Sequence, residues 1–261
     1  MRVLVTRPIS EAAPWVAGLA AAGHDAVALP LIEISPVQDL QPLIKAWQDP
    51  SQWQAVMFVS AAAVKHFFAA VPPQALSLTP CWATGPGTRK ALVQAGVPEN
   101  CIASPDGLAA QFDSEALWQV VAPSVTTEKP VLIVRGTDET DPISEASENT
   151  GVGRNWLSQT LQNAGVTVHW VVSYQRDLPV WTTQQRHMAQ TASADGSVWC
   201  FSSSQAISFL TRLLPQQDWS TARCIATHVR IAEAAKEIGF GKISLCRPLV
   251  SDMVASLELL A

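Results

Sequence analysis

At 261 residues the chain is about 1.7 times an ordinary domain length, which predicts one large domain or two small ones. Charged residues make up only 15% and apolar residues 48%, which excludes a disordered chain and suffices for a core without disulfides or metals. The net charge of −5 comes with no Lys/Arg cluster. That excludes a nucleic-acid footprint, and no run of about 18 apolar residues suggests a membrane span.

Five cysteines (Cys81, Cys101, Cys200, Cys224, Cys246) are widely spaced, odd in number and without a C-x-x-C pair. They read as reduced thiols of a cytoplasmic protein. The five histidines are scattered along the chain, so no metal centre is expected. The opening MRVLVTRP lacks the apolar stretch of an export signal.

In chain order, Val3-Leu4-Val5 reads as a buried strand, and Ser10-Glu11 opens a helix that stops at Gly23. Residues 55–59 form a second strand, followed by a helix over 61–70. Leu92 and Val93, before Gly96, belong to a third strand–helix unit. Residues 131–134 are a strand, and Trp156, Leu157 and Leu161 form a helical stripe ending at Gly165. The acidic, aperiodic stretch 136–153 between them is expected to be a surface loop. The last third alternates strands at 198–201 and 224–227 with helices at 206–214 and 231–238. The class is α/β with doubly wound parallel sheets.

The chain also repeats itself. Phe58-Val59-Ser60 and Phe201-Ser202-Ser203, Cys81-Trp82-Ala83-Thr84 and Cys224-Ile225-Ala226-Thr227, and Gly96 and Gly239 are all 143 positions apart. The strings VLVTRP and VLIVRG, starting at Val3 and Val131, are a further pair 128 apart. Two copies of one α/β unit are expected, and duplicated lobes commonly frame a ligand cleft.

Strand-to-helix turns carry Ser60, Thr84 with Thr88, Ser203 with Ser204, and Thr227. In open parallel sheets ligands bind at such turns, where helix N-termini present free N–H groups. Each hydroxyl is equally suited to a helix N-cap. Gly85-Pro86-Gly87-Thr88-Arg89 opens a helix but matches neither nucleotide fingerprint, leaving Gly85 and Gly87 as candidates for cradling an oxyanion. Arg7 and Arg135 end two equivalent strands and suit carboxylates, or surface salt bridges. Tyr174 is the only tyrosine, against ten tryptophans. In the alternating VVSYQR segment it reads as a half-buried strand residue or as a proton donor to a leaving hydroxyl.

VLVTRP, FVSAAAV (58–64), ATGPGTRKAL (83–92), VLIVRG (131–136), the segment 153–176, FSSSQAI (201–207) and THVRIAEAAKEIG (227–239) together resemble uroporphyrinogen-III synthase. The resemblance implies two similar doubly wound lobes joined by a two-stranded linker at 31–34 and 172–175. Lobe one would be 1–35 plus 177–261, and lobe two 36–170. It also implies a cofactor-free cytoplasmic monomer that cyclises hydroxymethylbilane, a linear tetrapyrrole, with inversion of the terminal ring. Tyr174 would assist departure of the substrate hydroxyl, and Arg7, Ser60, Gly85, Gly87, Thr88, Arg135, Ser203 and Thr227 would bind substrate. Ile231 stands where the second G-x-x-T string would carry threonine. Two alternatives remain open: a non-enzymatic bilobal binding protein for an anionic small molecule, and a nucleotide-using transferase.

Overall fold

The structure, a computed structural model, describes residues 1–71, 79–105, 114–138 and 156–260. The chain divides into two compact units, Met1–Glu33 with Asp177–Ala261 (unit one) and Ile34–Arg176 (unit two). It begins with β1 (Arg2–Val5), α1 (Ile9–Ala21) and β2 (Asp25–Ala28), then enters unit two through β3 (Glu33–Pro36). There follow α2 (Gln41–Gln48), β4 (Ala55–Phe58), α3 (Ala61–Ala70), β5 (Cys81–Ala83), α4 (Pro86–Gln94) and β6 (Ile102–Ala103). Next come α5 (Ser114–Val121), β7 (Val131–Asp138), α6 (Trp156–Asn163) and β8 (Val168–Asp177), which ends at the unit boundary. Unit one resumes with α7 (Thr183–Thr191), β9 (Val198–Phe201), α8 (Ser204–Leu213) and β10 (Arg223–Ala226). It closes with α9 (Val229–Glu237), β11 (Lys242–Leu245) and α10 (Val250–Glu258).

The sheet of unit one has the order β11-β10-β9-β1-β2, and that of unit two β3-β8-β7-β4-β5-β6. Read from the β6 edge, unit two repeats unit one strand for strand and adds β3. Every neighbouring pair in the two sheets other than β3–β8 is parallel. Even the register is repeated: Trp199 lies opposite Cys224 and Leu4, as Val56 lies opposite Cys81 and Leu132. The central strands AVMF and VWCF are buried at every residue, as expected for parallel strands with helices on both faces.

Equivalent stops confirm the duplication locally. Gly96 and Gly239 follow α4 and α9 with φ of 90° and 96°, a region that costs glycine nothing. In both, the next residue reaches back, Val97 N to Leu92 O and Phe240 N to Ala235 O, to close a Schellman motif. The sheet of unit two separates two apolar clusters. Val56, Phe58, Leu132 and Val134 face one way with Phe67 and Leu92, and Ala55, Met57, Val131 and Ile133 face the other with Leu117 and Leu161. In unit one Trp199, Phe201, Trp219 and Phe240 interlock edge-on and stacked, with Phe201 at the position equivalent to Phe58.

Two sequence expectations need correction. Residues 136–138, expected in a loop, are strand, because β7 runs on to Asp138 and pairs there with β8; the rest of 136–153 falls outside the described residues. Arg135 accordingly lies inside a strand and does not end one. The strand at the first crossing is Glu33–Pro36; Leu31 and Ile32 are buried, with Leu31 N donating to Thr6 O beside β1. Residues 172–175 lie within β8, paired to β7.

None of the five cysteines is in a disulfide. Burial pushes the Cys81 and Cys224 thiols up to about 12 and Cys246 to about 11, so they are protonated at neutral pH. Among the described residues no helix is long and apolar enough to cross a membrane.

The segment 34–176 contains every strand partner of its own sheet, whereas β1, which carries β2 on its outer side, finds its other partner β9 only in the last third. A fragment of 34–176 is therefore expected to unfold cooperatively with dispersed amide resonances, and a fragment of 1–33 to remain unfolded. Circular dichroism melts and proton–nitrogen correlation spectra of the two fragments check this.

Candidate active site

A one-residue irregularity builds the centre of the site. In the β7–β8 ladder Arg135 lies opposite Val172, but Gly136 lies opposite Tyr174, so Ser173 is the extra residue of a bulge. Strict alternation from Val171 would turn Tyr174 to the far face of the sheet. The bulge instead places Tyr174 on the same face as Val171, in the cluster with Phe58, Leu132 and Val134. The Ser173 hydroxyl holds the bulge against α3, donating toward Ala63 O (3.3 Å) and Arg135 O (3.4 Å).

Tyr174 is 3% exposed. Its ring crosses directly over Gly136, where a Cβ would overlap the ring carbons. Glycine is required at 136 by this close approach and not by backbone conformation. The Tyr174 hydroxyl lies 3.1 Å from Ser60 Oγ. Ser60 is the N-cap of α3, and its Oγ accepts the Ala63 N–H at 3.1 Å. His66, one and a half turns on, faces the phenol ring at 5.9 Å, and the Arg176 guanidinium lies 5.9 Å from the ring centroid. Burial, and secondarily the charge of Lys65, holds His66 below its ordinary 6.5.

From Ser60 the polar groups continue along the carboxyl ends of β4 and β5. Thr84 Oγ1 donates to Val59 O (3.3 Å) and lies 3.5 Å from Thr88 Oγ1. Thr88 is buried in the first turn of α4, whose N-cap is Gly85. Gly85 has an extended backbone and Gly87 has open space at its Cβ position, so neither glycine is demanded by conformation. Arg135 shares the strand face of Ile133, opposite to that of Tyr174.

Unit one has the same turns with different chemistry. Ser203 is the N-cap of α8 but makes no side-chain cap bond. Thr227 follows β10, its N–H bonded to Phe201 O, and His228 Nδ1 caps α9 by accepting from Arg230 N at 3.2 Å. Ile231 is buried at the position equivalent to Thr88. Arg7 pairs with Glu11 (3.3 Å) and stacks on Trp15 (4.4 Å); burial lowers its pKa, opposed by Glu11.

The family model HEM4, uroporphyrinogen-III synthase HemD, matches residues 13–255. The chain belongs to the uroporphyrinogen-III synthase family. As a member it is a cyclising lyase that closes hydroxymethylbilane in tetrapyrrole biosynthesis. The fold is shared by two solved structures. Uroporphyrinogen-III synthetase from Helicobacter pylori superposes with a TM-score of 0.60 at 16% identity, over 99% of both chains. A mutant uroporphyrinogen III synthase from the extremely thermophilic bacterium Thermus thermophilus gives 0.56 at 14% identity, over 100% of this chain and 98% of that one.

Of the residues that the sequence singles out for a synthase site, the structure joins Tyr174 directly to Ser60, and Thr88 to the turn beside it through Thr84. Arg7, Ser203 and Thr227 belong to unit one. Sequence reasoning missed Gly136, Ser173, His66 and Arg176 as neighbours of the phenol. Position i+2 from Tyr174 could have signalled Arg176; nothing in the string announces the bulge that brings Gly136 opposite the ring.

Two measurements check this geometry. Ser60→Ala removes a cap bond and is expected to cost about 1 kcal/mol or more, while Ser203→Ala, at the equivalent uncapped position, stays within about 0.5 kcal/mol; urea unfolding of the pair reads the contrast. For His66, folded and unfolded chains share a neutral ring above pH 6.5. As the pH falls the unfolded chain takes up the proton first, so stability declines toward acid. The unfolding midpoint is expected to drop between pH 7 and 5, and less steeply in His66→Gln.

Proposed function

We propose that Tyr174 is the general acid of the cyclisation, donating its proton to the departing hydroxyl of hydroxymethylbilane. The observation that carries this reading is the bulge. It sets the chain's only phenol against the N-terminus of α3, beside the carboxyl ends of the central strands, where open parallel sheets take ligands. The carbon–oxygen bond of the hydroxymethyl group breaks, the hydroxyl leaves as water with the phenol proton, and the pyrrole nitrogen lone pair stabilises the methylene cation left behind. That carbon then bonds to the substituted carbon of the last pyrrole. The resulting spiro intermediate rearranges to the type-III macrocycle with loss of a proton.

The substrate bears an acetate and a propionate on each ring. Backbone N–H groups at the N-termini of α4, α8 and α9, with Gly85, Gly87, Thr88, Ser203 and Thr227, suit those carboxylates, because helix N-termini attract anions without a formal charge. Arg7 and Arg135 are the proposed cationic partners, while Ser60, at the start of α3, contacts the phenol. Holding the bilane folded supplies most of the acceleration, since electron-rich pyrroles release hydroxide readily and proximity does the rest. The enzyme acts as a cytoplasmic monomer in this reading, which its buried, protonated thiols support for a reducing compartment.

The test is the product isomer. Purified protein is added to fresh hydroxymethylbilane, the product is oxidised and the porphyrin isomers are separated. Type III is expected; type I alone, at the spontaneous rate, overturns the reading in favour of a binding protein. Tyr174→Phe is expected to retain the isomer and slow turnover about 10²-fold, the lower end for a lost general acid.

A further inference from the structure

The hydroxyls of Ser60 and Tyr174 share one contact, and only one proton can lie between them. The field of α3, beside which both hydroxyls lie, decides which. A serine hydroxyl has one proton and two lone pairs, as does a phenol. One lone pair of Ser60 Oγ is already taken by the Ala63 N–H. Among the described residues the only remaining contact of Oγ is the phenol oxygen, at 3.1 Å. Either direction leaves one proton without an acceptor among the described residues: the serine's if the phenol donates, the phenol's if the serine does. The N-terminal field of α3 opposes donation by the phenol, which would aim a proton at the positive end of the helix. The free N–H groups of the first turn make the cap oxygen an acceptor toward the helix and leave its proton to point outward.

We propose that Ser60 is a positioning residue that donates its proton to the Tyr174 oxygen, which leaves the phenol's own proton without a partner among the described residues and available to the substrate hydroxyl. The proposal rests on the reading of Tyr174 as general acid and adds what makes the phenol available. A buried donor without an acceptor costs stability, a cost that substrate binding would relieve. Three features hold the pair in register. Gly136 lets the ring lie against β7, the Ser173 bulge turns it toward α3, and the Ala63 cap bond fixes the serine rotamer. The bond also favours transfer, because the phenolate left behind keeps a hydrogen bond to its oxygen. Unit one has the equivalent serine, Ser203, with no cap bond, and it has no tyrosine.

Because Tyr174 is the only tyrosine, the Raman Fermi doublet of tyrosine reports this one hydroxyl, and its intensity ratio separates an accepting phenol from a donating one. The ligand-free wild type is expected to show the ratio of an acceptor. Ser60→Gly is the variant of choice, since glycine caps a helix nearly as well as serine and the fold is kept. It should lose the acceptor ratio and about tenfold in kcat, with KM unchanged. Ser60→Thr should restore both. A donor ratio in the wild type, an unchanged ratio in Ser60→Gly, or a raised KM with intact kcat would each overturn the proposal. Wild-type turnover in Tyr174→Phe would instead overturn the general-acid reading, while the Raman ratio would still report whether Ser60 donates to the phenol.

Discussion

A parallel sheet gives each side chain one of two faces, and a regular β8 would turn Tyr174 away from α3. The extra residue at Ser173 reverses that parity for the end of the strand. Everything polar around the phenol depends on the reversal: the Ser60 contact, the ring lying over Gly136, His66 at its edge and Arg176 two residues on. A bulge leaves backbone groups unpaired locally. Here the extra residue is a serine whose buried hydroxyl reaches carbonyls on both α3 and β7, so the irregularity is tied at both sides. The site is thus built by an interruption of a ladder whose other positions follow the duplicated pattern.

The duplication clarifies what is structural and what is chemical. Strand order, register and the glycine stops after α4 and α9 are common to both units, and these are what a packed α/β sandwich needs. The differences gather at the turns. Thr88 in one unit is Ile231 in the other, and a glycine cap in one is a histidine cap in the other. Ile231 is buried, so it extends the core where the other copy has a hydroxyl. Only one copy of the framework retains the phenol.

The fold was largely legible in the sequence, because parallel strands buried on both faces read as continuous apolar runs. AVMF and VWCF could be placed, and their 143-residue spacing exposed the repeat. Strand ends were not legible. Residues 136–138 are polar, yet they form strand because β8 pairs with them, a long-range fact that local composition does not carry. At the site, residue identities were legible and facing was not. Tyr174 stood out as the single tyrosine, and Ser60 as half of a repeated pair. That the two touch follows from a parity change that period-two reading counts the wrong way. Arg7 shows the converse, since its Glu11 and Trp15 partners are one and two helical turns away and of ordinary spacing.

The interleaved chain path has a consequence for synthesis. β1 is buried at Val3, Leu4 and Val5, and its inner neighbour is β9, at residues 198–201. A ribosome adding about 5–20 residues per second takes roughly ten to forty seconds to cover that interval. During this time β1 and β2 form at most a two-stranded ribbon, too small to be stable alone in water. Unit two, all of whose sheet partners emerge before residue 177, can meanwhile complete its core. The apolar N-terminal segment must therefore wait, tethered to a finished neighbour, and during that wait it is the part of the nascent chain most exposed to chaperones and to aggregation.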